Sequence, residues 1–245
     1  MATEAEVSPN LTKQELYYSV KGRPIDVYIF GAGKPVTLVI GGIHGNETSG
    51  VWLARDFLKD LKLRSETALN RQIILIPLAN PDGFYTGTRV NAHKIDLNRN
   101  FPTENFRKGY FPKNSNPGKK AASEPETKMI LEVTARYKPD LIITFHAQMG
   151  CVNYDGPAAE IAARISELDG LPVKSSVGYP TNGSLGTYFG VERGIPVITF
   201  ELLPQDNQWE RHGKAILTAI GLTPPPEDEK SQPQREGLTF VPEVP

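Results

Sequence analysis

Three apolar strings in this chain each lead directly to a side chain that can bind a metal or transfer a proton. The strings Gly-Gly-Ile, Ile-Ile-Thr-Phe and Val-Ile-Thr-Phe precede His44, His146 and Glu201 respectively. Apolar, β-branched runs of this kind are typical of buried strands in a parallel sheet. Because ligands bind just beyond the carboxyl ends of such strands, we expect the three side chains to share one site.

Strand signals alternate with helix signals, which predicts an α/β fold with a mixed, mostly parallel central sheet flanked by helices. With 245 residues, the chain suits one domain. We expect a loose segment at 1–13, a single catalytic domain at 14–222 and an extended or disordered Pro-rich tail at 223–245. The predicted strands are 16–20, 25–30, 36–41, 73–78, 141–145 and 196–200, and the predicted helices are 46–62, 123–137, 158–168 and 206–220.

Local signals predict how several of these elements begin. Asn46 is expected to cap the first helix, and residues 123–126 have the pattern of a capping box. Residues 80–83, Asn-Pro-Asp-Gly, predict a turn. The long irregular stretch at 84–122 indicates a functional loop, because unstructured loops of that length are uncommon in compact domains.

Charge and composition limit the partners of this chain. Its 27 basic and 28 acidic residues leave a net charge of −1, which predicts no nucleic-acid partner and no polybasic membrane patch. The N-terminus lacks a secretory signal, and no apolar run approaches the roughly 20 residues needed to span a bilayer. We therefore expect a cytoplasmic protein. The single cysteine, Cys151, is expected to be a small apolar residue rather than a nucleophile. The oligomeric state stays open.

The spacing of His44 and Glu47 allows both side chains to reach one ion, because residues three apart share a helix face. Taken singly, a polar loop histidine and an acid at a helix N-terminus explain them as well. His146, at the end of another strand, favours a shared metal. Two imidazoles and a carboxylate are a ligand set of catalytic zinc, with the fourth position left open. The other two histidines, His93 and His212, are expected on the surface.

The string Asp-Leu-Asn-Arg-Asn-Phe-Pro at 96–102 is the other dense group of polar residues. Asp96 is a candidate to accept the second ring N–H of His44, as carboxylates do around metal-bound histidines. Arg99 offers a planar fork suited to a substrate carboxylate. A surface ion pair, with Asn98 as a turn residue, explains the string equally well. For Glu201 the alternative is a cap of the next helix; we favour a cleft, because an acid after a buried strand must be solvated, paired or bound.

Seven ordered motifs resemble the zinc carboxypeptidase family (M14-type), and within it most of all the murein peptide amidase A branch. They occur at residues 41–47, 80–83, 96–102, 123–127, 145–146, 176–184 and 198–201. The resemblance implies one Zn²⁺ per chain, held by His44, Glu47 and His146. It also implies that Glu201 is the general base and acid, and that Arg89 faces the developing oxyanion.

The resemblance also implies how substrate binds. Asn98 and Arg99 would bind the terminal carboxylate of a small peptide, and Tyr179 would close over the pocket. Residues 185–187, expected at the floor of the site, carry no charge that would indicate a preference for a basic or acidic side chain.

The expected activity is therefore hydrolysis of the γ-D-glutamyl–meso-diaminopimelate amide of murein peptides, in cytoplasmic recycling of the cell wall. A related alternative is an N-acyl amino acid deacylase of the succinylglutamate desuccinylase or aspartoacylase type, which shares the His-Gly-Asn-Glu and Asp-Leu-Asn-Arg strings. An alternative from another class is a non-catalytic, metal-bound peptide-binding protein. A digestive-type carboxypeptidase is disfavoured, since such enzymes are usually secreted and larger.

Overall fold

The structure is a computed structural model that describes residues 11–64, 70–106, 115–204 and 207–222. Its strands are β1 (Leu11–Tyr18), β2 (Pro24–Phe30), β3 (Val36–Ile40), β4 (Gln72–Ile76), β5 (Leu141–Ala147), β6 (Cys151–Asp155), β7 (Val173–Lys174) and β8 (Val197–Leu202). Its α-helices are α1 (Thr48–Leu63), α2 (Pro81–Thr86), α3 (Pro125–Tyr137), α4 (Ala159–Asp169) and α5 (Gln208–Ala219). A 3-10 helix at Leu97–Arg99 and a π-helix at Gly186–Val191 complete the set.

The eight strands form one sheet in the order β1-β2-β4-β3-β5-β8-β6-β7. The central pairs β3–β4, β3–β5 and β5–β8 are parallel, as is β6–β7, whereas β1–β2, β2–β4 and β6–β8 are antiparallel. This confirms the predicted mixed, mostly parallel sheet. The sequence analysis did not predict β6 and β7, because β6 is half polar and β7 has only two residues.

Helices cover both faces of the sheet, which explains why its central strands are apolar throughout. All five residues of β3 are buried. Val39 packs in the core that contains α1, α4 and α5, whereas Leu38 and Ile40 pack in the core that contains α3. A strand buried on both faces needs no alternation of polar and apolar residues.

Both predicted helix caps are wrong, and in each case the side chains make other bonds. Helix α1 begins at Thr48 with Glu47 in the cap position, and the Glu47 carboxylate is turned toward His44 instead of the helix. Helix α3 begins at Pro125, and the hydroxyl of Ser123 donates to the Glu124 carboxylate at 2.6 Å. The predicted end of α3 at residue 137 is confirmed.

Other local differences concern the first strand and the 80–83 motif. Strand β1 already begins at Leu11, within the range expected to be loose. The predicted turn at 80–83 instead begins helix α2, and the side chain of Asn80 caps it by accepting from the Gly83 N–H at 2.9 Å. Residues 1–10 and the tail at 223–245 lie outside the described residues. Among the described helices, none combines the length and apolar character needed to cross a membrane.

The two remaining histidines have different environments. His93 is 59% exposed, which confirms its predicted surface position. His212 was expected to face solvent, and this is wrong: it is 3% exposed, and its Nδ1 lies 2.6 Å from the carboxylate of Asp169. The partner lies on α4, which packs against α5, so the pairing is tertiary and the local sequence carries no sign of it.

Candidate metal centre and cleft

Three buried side chains from separate elements meet at the carboxyl ends of the central strands. His44 lies in the loop after β3, Glu47 precedes α1, and His146 lies near the end of β5. One ligand atom from each residue lies within 4.8 Å of the others. The Nδ1 atoms of His44 and His146 are 3.0 Å apart, and each lies 2.9 Å from an oxygen of the Glu47 carboxylate. The structure therefore brings together the three predicted ligands around one point.

Glycines allow the loop that carries His44 to turn tightly. Gly42 has a φ of +64°, a conformation that residues with a Cβ rarely adopt. A Cβ built on Gly45 would lie 2.0 Å from the carbonyl carbon of Gly83, so a larger residue would push the loop away from α2. The backbone between β3 and α1 is thus shaped to hold His44 and Glu47 over the sheet.

Asp96 lies behind His44, where the sequence analysis expected it. The Nε2 atom of His44 is 3.0 Å from Oδ1 of Asp96, and the Asp96 side chain is fully buried. Burial opposes its charge, but His44, Arg89 and Arg99 outweigh burial and lower the pKa of Asp96 below its ordinary range. A charged Asp96 accepts the Nε2–H and leaves the Nδ1 lone pair of His44 free for a metal.

Arg89 bridges two acids at the edge of this group. Its Nη1 donates to Glu47 and its Nε donates to Asp96, each at 3.0 Å. Burial alone would lower the pKa of Arg89, but the two carboxylates raise it above the ordinary value. The guanidinium is therefore held next to the three candidate metal ligands as a fixed positive charge.

The metal-ligand group opens into a cleft of about 180 Å³, which is also lined by Glu201, Arg89, Asn98, Arg99 and Tyr179. Glu201 lies on β8, directly opposite His146 on β5 and Cys151 on β6. Tyr179 is 49% exposed at the mouth of the cleft. Every catalytic and substrate-binding residue that the resemblance indicated therefore borders a single cavity.

Arg99 is unusual because it is buried and has no counter-ion among the described residues. Only 3% of it is exposed, and its Nη1 donates to the carbonyl of Asn98 at 2.6 Å. Within the part of the chain that the structure describes, no carboxylate forms an ion pair with it. The Asn98 side chain accepts from the Leu185 N–H at 2.8 Å, which orients its amide beside Arg99. A buried guanidinium that faces a cavity is suited to bind a carboxylate from outside the chain.

Cys151 has the environment of a buried structural residue. It is fully buried, and burial raises the pKa of its thiol, with Glu201 adding to that effect. A protonated, buried thiol behaves as a small apolar residue, as expected from the sequence.

The floor of the cleft carries a charge that the sequence analysis missed. Residues 185–187 are uncharged, but Asp155 on β6 lies against Gly186 and lines the same cavity. The missed signal was the alternation in Cys-Val-Asn-Tyr-Asp, which places Cys151, Asn153 and Asp155 on one face of β6. The expectation of an uncharged floor is therefore wrong.

The chain is similar in sequence and in fold to proteins of known family. A zinc carboxypeptidase family model matches residues 1–176. The chain belongs to the zinc carboxypeptidase family. It is accordingly a hydrolytic zinc metallopeptidase, and its two imidazoles and one carboxylate fit the ligand chemistry of catalytic zinc. The matched range includes all three candidate ligands and ends before Tyr179 and Glu201.

Individual relatives agree with this assignment. The chain is 32% identical to murein peptide amidase A of Escherichia coli K12 over 184 residues, which cover 71% of this chain and 73% of that protein. It is also 32% identical to murein peptide amidase A of Vibrio campbellii over 201 residues, which cover 76% and 78%.

Solved structures extend the agreement to the fold. Murein-tripeptide amidase MpaA from Escherichia coli O157 matches with a TM-score of 0.70 and 27% identity, covering 89% of this chain and 94% of that chain. Carboxypeptidase A from Helicoverpa armigera matches with a TM-score of 0.75 over 86% of this chain and 68% of that chain. At 19% identity, the second match shows the fold alone.

Proposed function

We propose that this protein hydrolyses the amide between γ-D-glutamate and meso-diaminopimelate in murein peptides. The observation that carries the proposal is one cleft that joins the metal-ligand group, the carboxylate of Glu201 and the guanidinium of Arg99, which has no counter-ion among the described residues. A metal, a base and a carboxylate-binding residue in one cavity are the parts that hydrolysis of a terminal amide requires.

In this proposal the metal is one Zn²⁺ per chain, bound by His44, Glu47 and His146. Zinc, when bound, acts as a Lewis acid and lowers the pKa of water from 15.7 to about 7. Glu201 accepts the proton of the attacking water and later transfers it to the leaving amine. Arg89 contributes its positive charge where negative charge develops on the carbonyl oxygen. Asp96 holds the ring of His44 in one tautomer and orientation.

Residues farther along the cleft position the substrate in this proposal. Arg99 binds the terminal carboxylate of the leaving residue through two parallel hydrogen bonds, and Asn98 donates from its side-chain amide. Tyr179, exposed at the mouth, closes over the bound peptide. The catalytic domain covers residues 14–222 in this assignment.

Two relatives support the choice of a murein peptide over other amides. Both are named murein peptide amidase A, and each is matched over about three quarters of its length. We further propose that the protein acts in the cytoplasm, on small peptides released from the cell wall during recycling.

The test is hydrolysis of L-Ala-γ-D-Glu-meso-diaminopimelate by the full-length zinc-loaded protein, with liberated diaminopimelate quantified. N-acetyl-aspartate serves as the competing substrate, because a deacylase of the aspartoacylase type would cleave it. We expect release of diaminopimelate and negligible release of aspartate. Equal or faster cleavage of N-acetyl-aspartate would overturn the proposed substrate, and hydrolysis of neither would leave the non-catalytic binding protein as the better description.

A further inference from the structure

The Ser-Glu-Pro-Glu-Thr motif at residues 123–127 does not line the cleft, although it is one of the motifs that resemble the family. Its two acids, Glu124 and Glu126, are both buried at the start of α3. Buried acids require hydrogen-bond partners, because burying a charge without them is costly. The two acids share a partner in the loop that carries Asp96 and Arg99, so the motif is connected to the site through that loop.

The shared partner is the side chain of Asn91. Its Nδ2 donates to Glu124 at 2.7 Å and to Glu126 at 3.0 Å. Its Oδ1 accepts from the backbone N–H groups of His93 and Ile95, each at 3.1 Å. The four hydrogen-bonding positions of the amide are therefore all used, which fixes the turn that begins at this residue and ties it to α3.

Asn100 anchors the other end of the same loop. Its Nδ2 donates to the carbonyl of Pro117 at 2.9 Å and to the hydroxyl of Ser123 at 3.1 Å. Its Oδ1 accepts from the backbone N–H of Glu124 at 3.3 Å. The stretch between the two asparagines, which includes three residues already assigned to the site, is thus held at both ends by the motif.

The two anchors meet at the carboxylate of Glu124. Its Oε2 accepts from Asn91 and lies 2.7 Å from Nδ1 of His93, and its Oε1 accepts from the hydroxyl of Ser123 at 2.6 Å. Burial opposes its charge, but hydrogen bonds from Ser123, Asn91 and His93 outweigh burial and lower the pKa of Glu124. A charged carboxylate therefore receives partners on both oxygens and joins the two ends of the loop.

We propose that Glu124 is a positioning residue that holds Asp96 and Arg99 in the geometry required for metal and substrate binding. It does not line the cleft, and it acts through Asn91 and Ser123. Because Asp96 orients a zinc ligand and Arg99 receives the substrate carboxylate, displacement of the loop weakens both kinds of binding. The effect on substrate rests on the proposed function, whereas the effect on zinc does not depend on any substrate.

The zinc affinity of Glu124→Gln tests this role without hydrolysis. Glutamine replaces one acceptor oxygen by an amino group, so at least one donor beside the side chain then faces another donor. Competition with a chromogenic chelator on the full chain should show about tenfold weaker zinc binding, the lower end of the effect for groups that support metal-bound histidines. Glu132→Gln, which removes a half-exposed acid on the same helix, is the control and should bind zinc as the native protein does.

Kinetics with excess zinc give a second measurement on L-Ala-γ-D-Glu-meso-diaminopimelate. The KM of Glu124→Gln should rise about tenfold, and kcat should change less, because the base Glu201 lies on a separate element, β8. Ser123→Ala is a milder variant that removes only the hydroxyl between Asn100 and Glu124. It should raise KM about twofold to tenfold, as for the loss of a hydrogen bond.

A purely structural role would have a different result. Glu124→Gln would then unfold at a lower urea concentration, but its zinc affinity and KM would equal the native values, and the inference would be wrong. If Glu124→Gln does not fold, a native zinc affinity and KM in Ser123→Ala would contradict the inference in the same way. Weaker zinc binding by Glu124→Gln, combined with no hydrolysis of the peptide by the native protein, would retain the role of Glu124 and refute the proposed activity.

Discussion

Two clusters of side chains in this molecule each surround a buried carboxylate, and they differ in how fully their polar atoms are bonded within the cluster. The Glu15 cluster joins β1 to α3: Glu15 accepts hydrogen bonds from Lys13, Tyr17, Arg136 and Tyr137, at 2.6 to 3.2 Å. Every acceptor site of that carboxylate faces a donor from the same chain. The Glu15 cluster therefore links two elements, and it does not line the cleft beside the metal-ligand group.

The strand-end cluster has lone pairs that its own side chains do not fully use. It is formed by His44, Glu47, Arg89, Asp96 and His146. The Nδ1 atoms of its two histidines face each other at 3.0 Å, and both lie beside the same carboxylate. Two lone pairs directed at one point need a proton or a metal between them. Burial and charge are common to both clusters, so the unused capacity is what distinguishes a site from a structural ion pair.

The largest expected effect comes from replacing the proposed base. Glu201→Gln removes the proton acceptor while keeping the shape of the side chain, and it should lower kcat by a factor on the order of 10²–10⁴. Zinc content should stay near that of the native protein, because Glu201 is not among the three grouped ligands. Peptide turnover and metal analysis measure the two quantities.

The corresponding change in the Glu15 cluster is Glu15→Gln, which should leave turnover and zinc content unaltered. Native turnover by Glu201→Gln would show that another group acts as the base. A parallel loss of zinc would instead assign Glu201 to the metal site.

A smaller effect, on the affinity for zinc, is expected from replacing Asp96, which bonds to His44. Asp96→Asn keeps the side-chain shape but removes the charge that orients His44, and it should weaken zinc binding about 10- to 100-fold. Competition with a chromogenic chelator measures this affinity. Asp140→Asn, at a half-exposed acid paired with Lys34, is the control and should bind zinc as the native protein does. Unchanged affinity in Asp96→Asn would make Asp96 a partner of Arg89 alone.

Arg99→Lys tests whether the Arg99 guanidinium, which has no carboxylate partner among the described residues, binds substrate. Lysine keeps the charge but loses the fork, so kcat/KM should fall about tenfold, mostly through a higher KM. Arg136→Lys is the matched control, because Arg136 donates to both oxygens of Glu15 in the other cluster. That variant should lose stability and keep its KM. Similar KM values in the two variants would remove Arg99 from the substrate site.

The sequence alone predicted that the candidate site residues meet at one edge of the sheet, because three of them follow strands buried on both faces. The sequences of such strands are continuous apolar runs. His44, His146 and Glu201 are therefore recognisable as the polar residues that follow these runs. Arg89, by contrast, came only from the family resemblance, since its two acid partners lie 42 and 7 residues away.

Features set by tertiary contacts could not be predicted. Asp155 was missed because β6 is short and half polar and runs antiparallel to β8, so the alternation in Cys-Val-Asn-Tyr-Asp marks the strand but no apolar run does. Asn46 was expected to cap α1, but the position that precedes the helix is Glu47, whose carboxylate the histidines bind. His212 is buried by an acid 43 residues away.

The smallest expected effect concerns stability in the Glu15 cluster. Burial disfavours the charged form of Glu15, but hydrogen bonds from Lys13, Tyr137 and Arg136 outweigh it and lower the pKa of Glu15 from 4.5 to about 2. The folded state thus holds this proton more weakly than the unfolded state. The stabilisation is complete above pH 4.5 and is lost as the pH falls toward 2. Glu15→Gln should therefore lower the free energy of unfolding by about 1–2 kcal/mol at neutral pH.

Urea unfolding of native protein and Glu15→Gln between about pH 3 and pH 7 measures this difference. The gap between the two unfolding free energies should be constant near neutral pH and should narrow steadily below pH 4.5. A gap that stays constant down to the acid end would mean that lost packing, and not the carboxylate charge, accounts for the effect. A constant difference in unfolding free energy would also weaken the comparison of the two clusters. It would mean that the hydrogen bonds to Glu15 do not stabilise its charged form in the folded state.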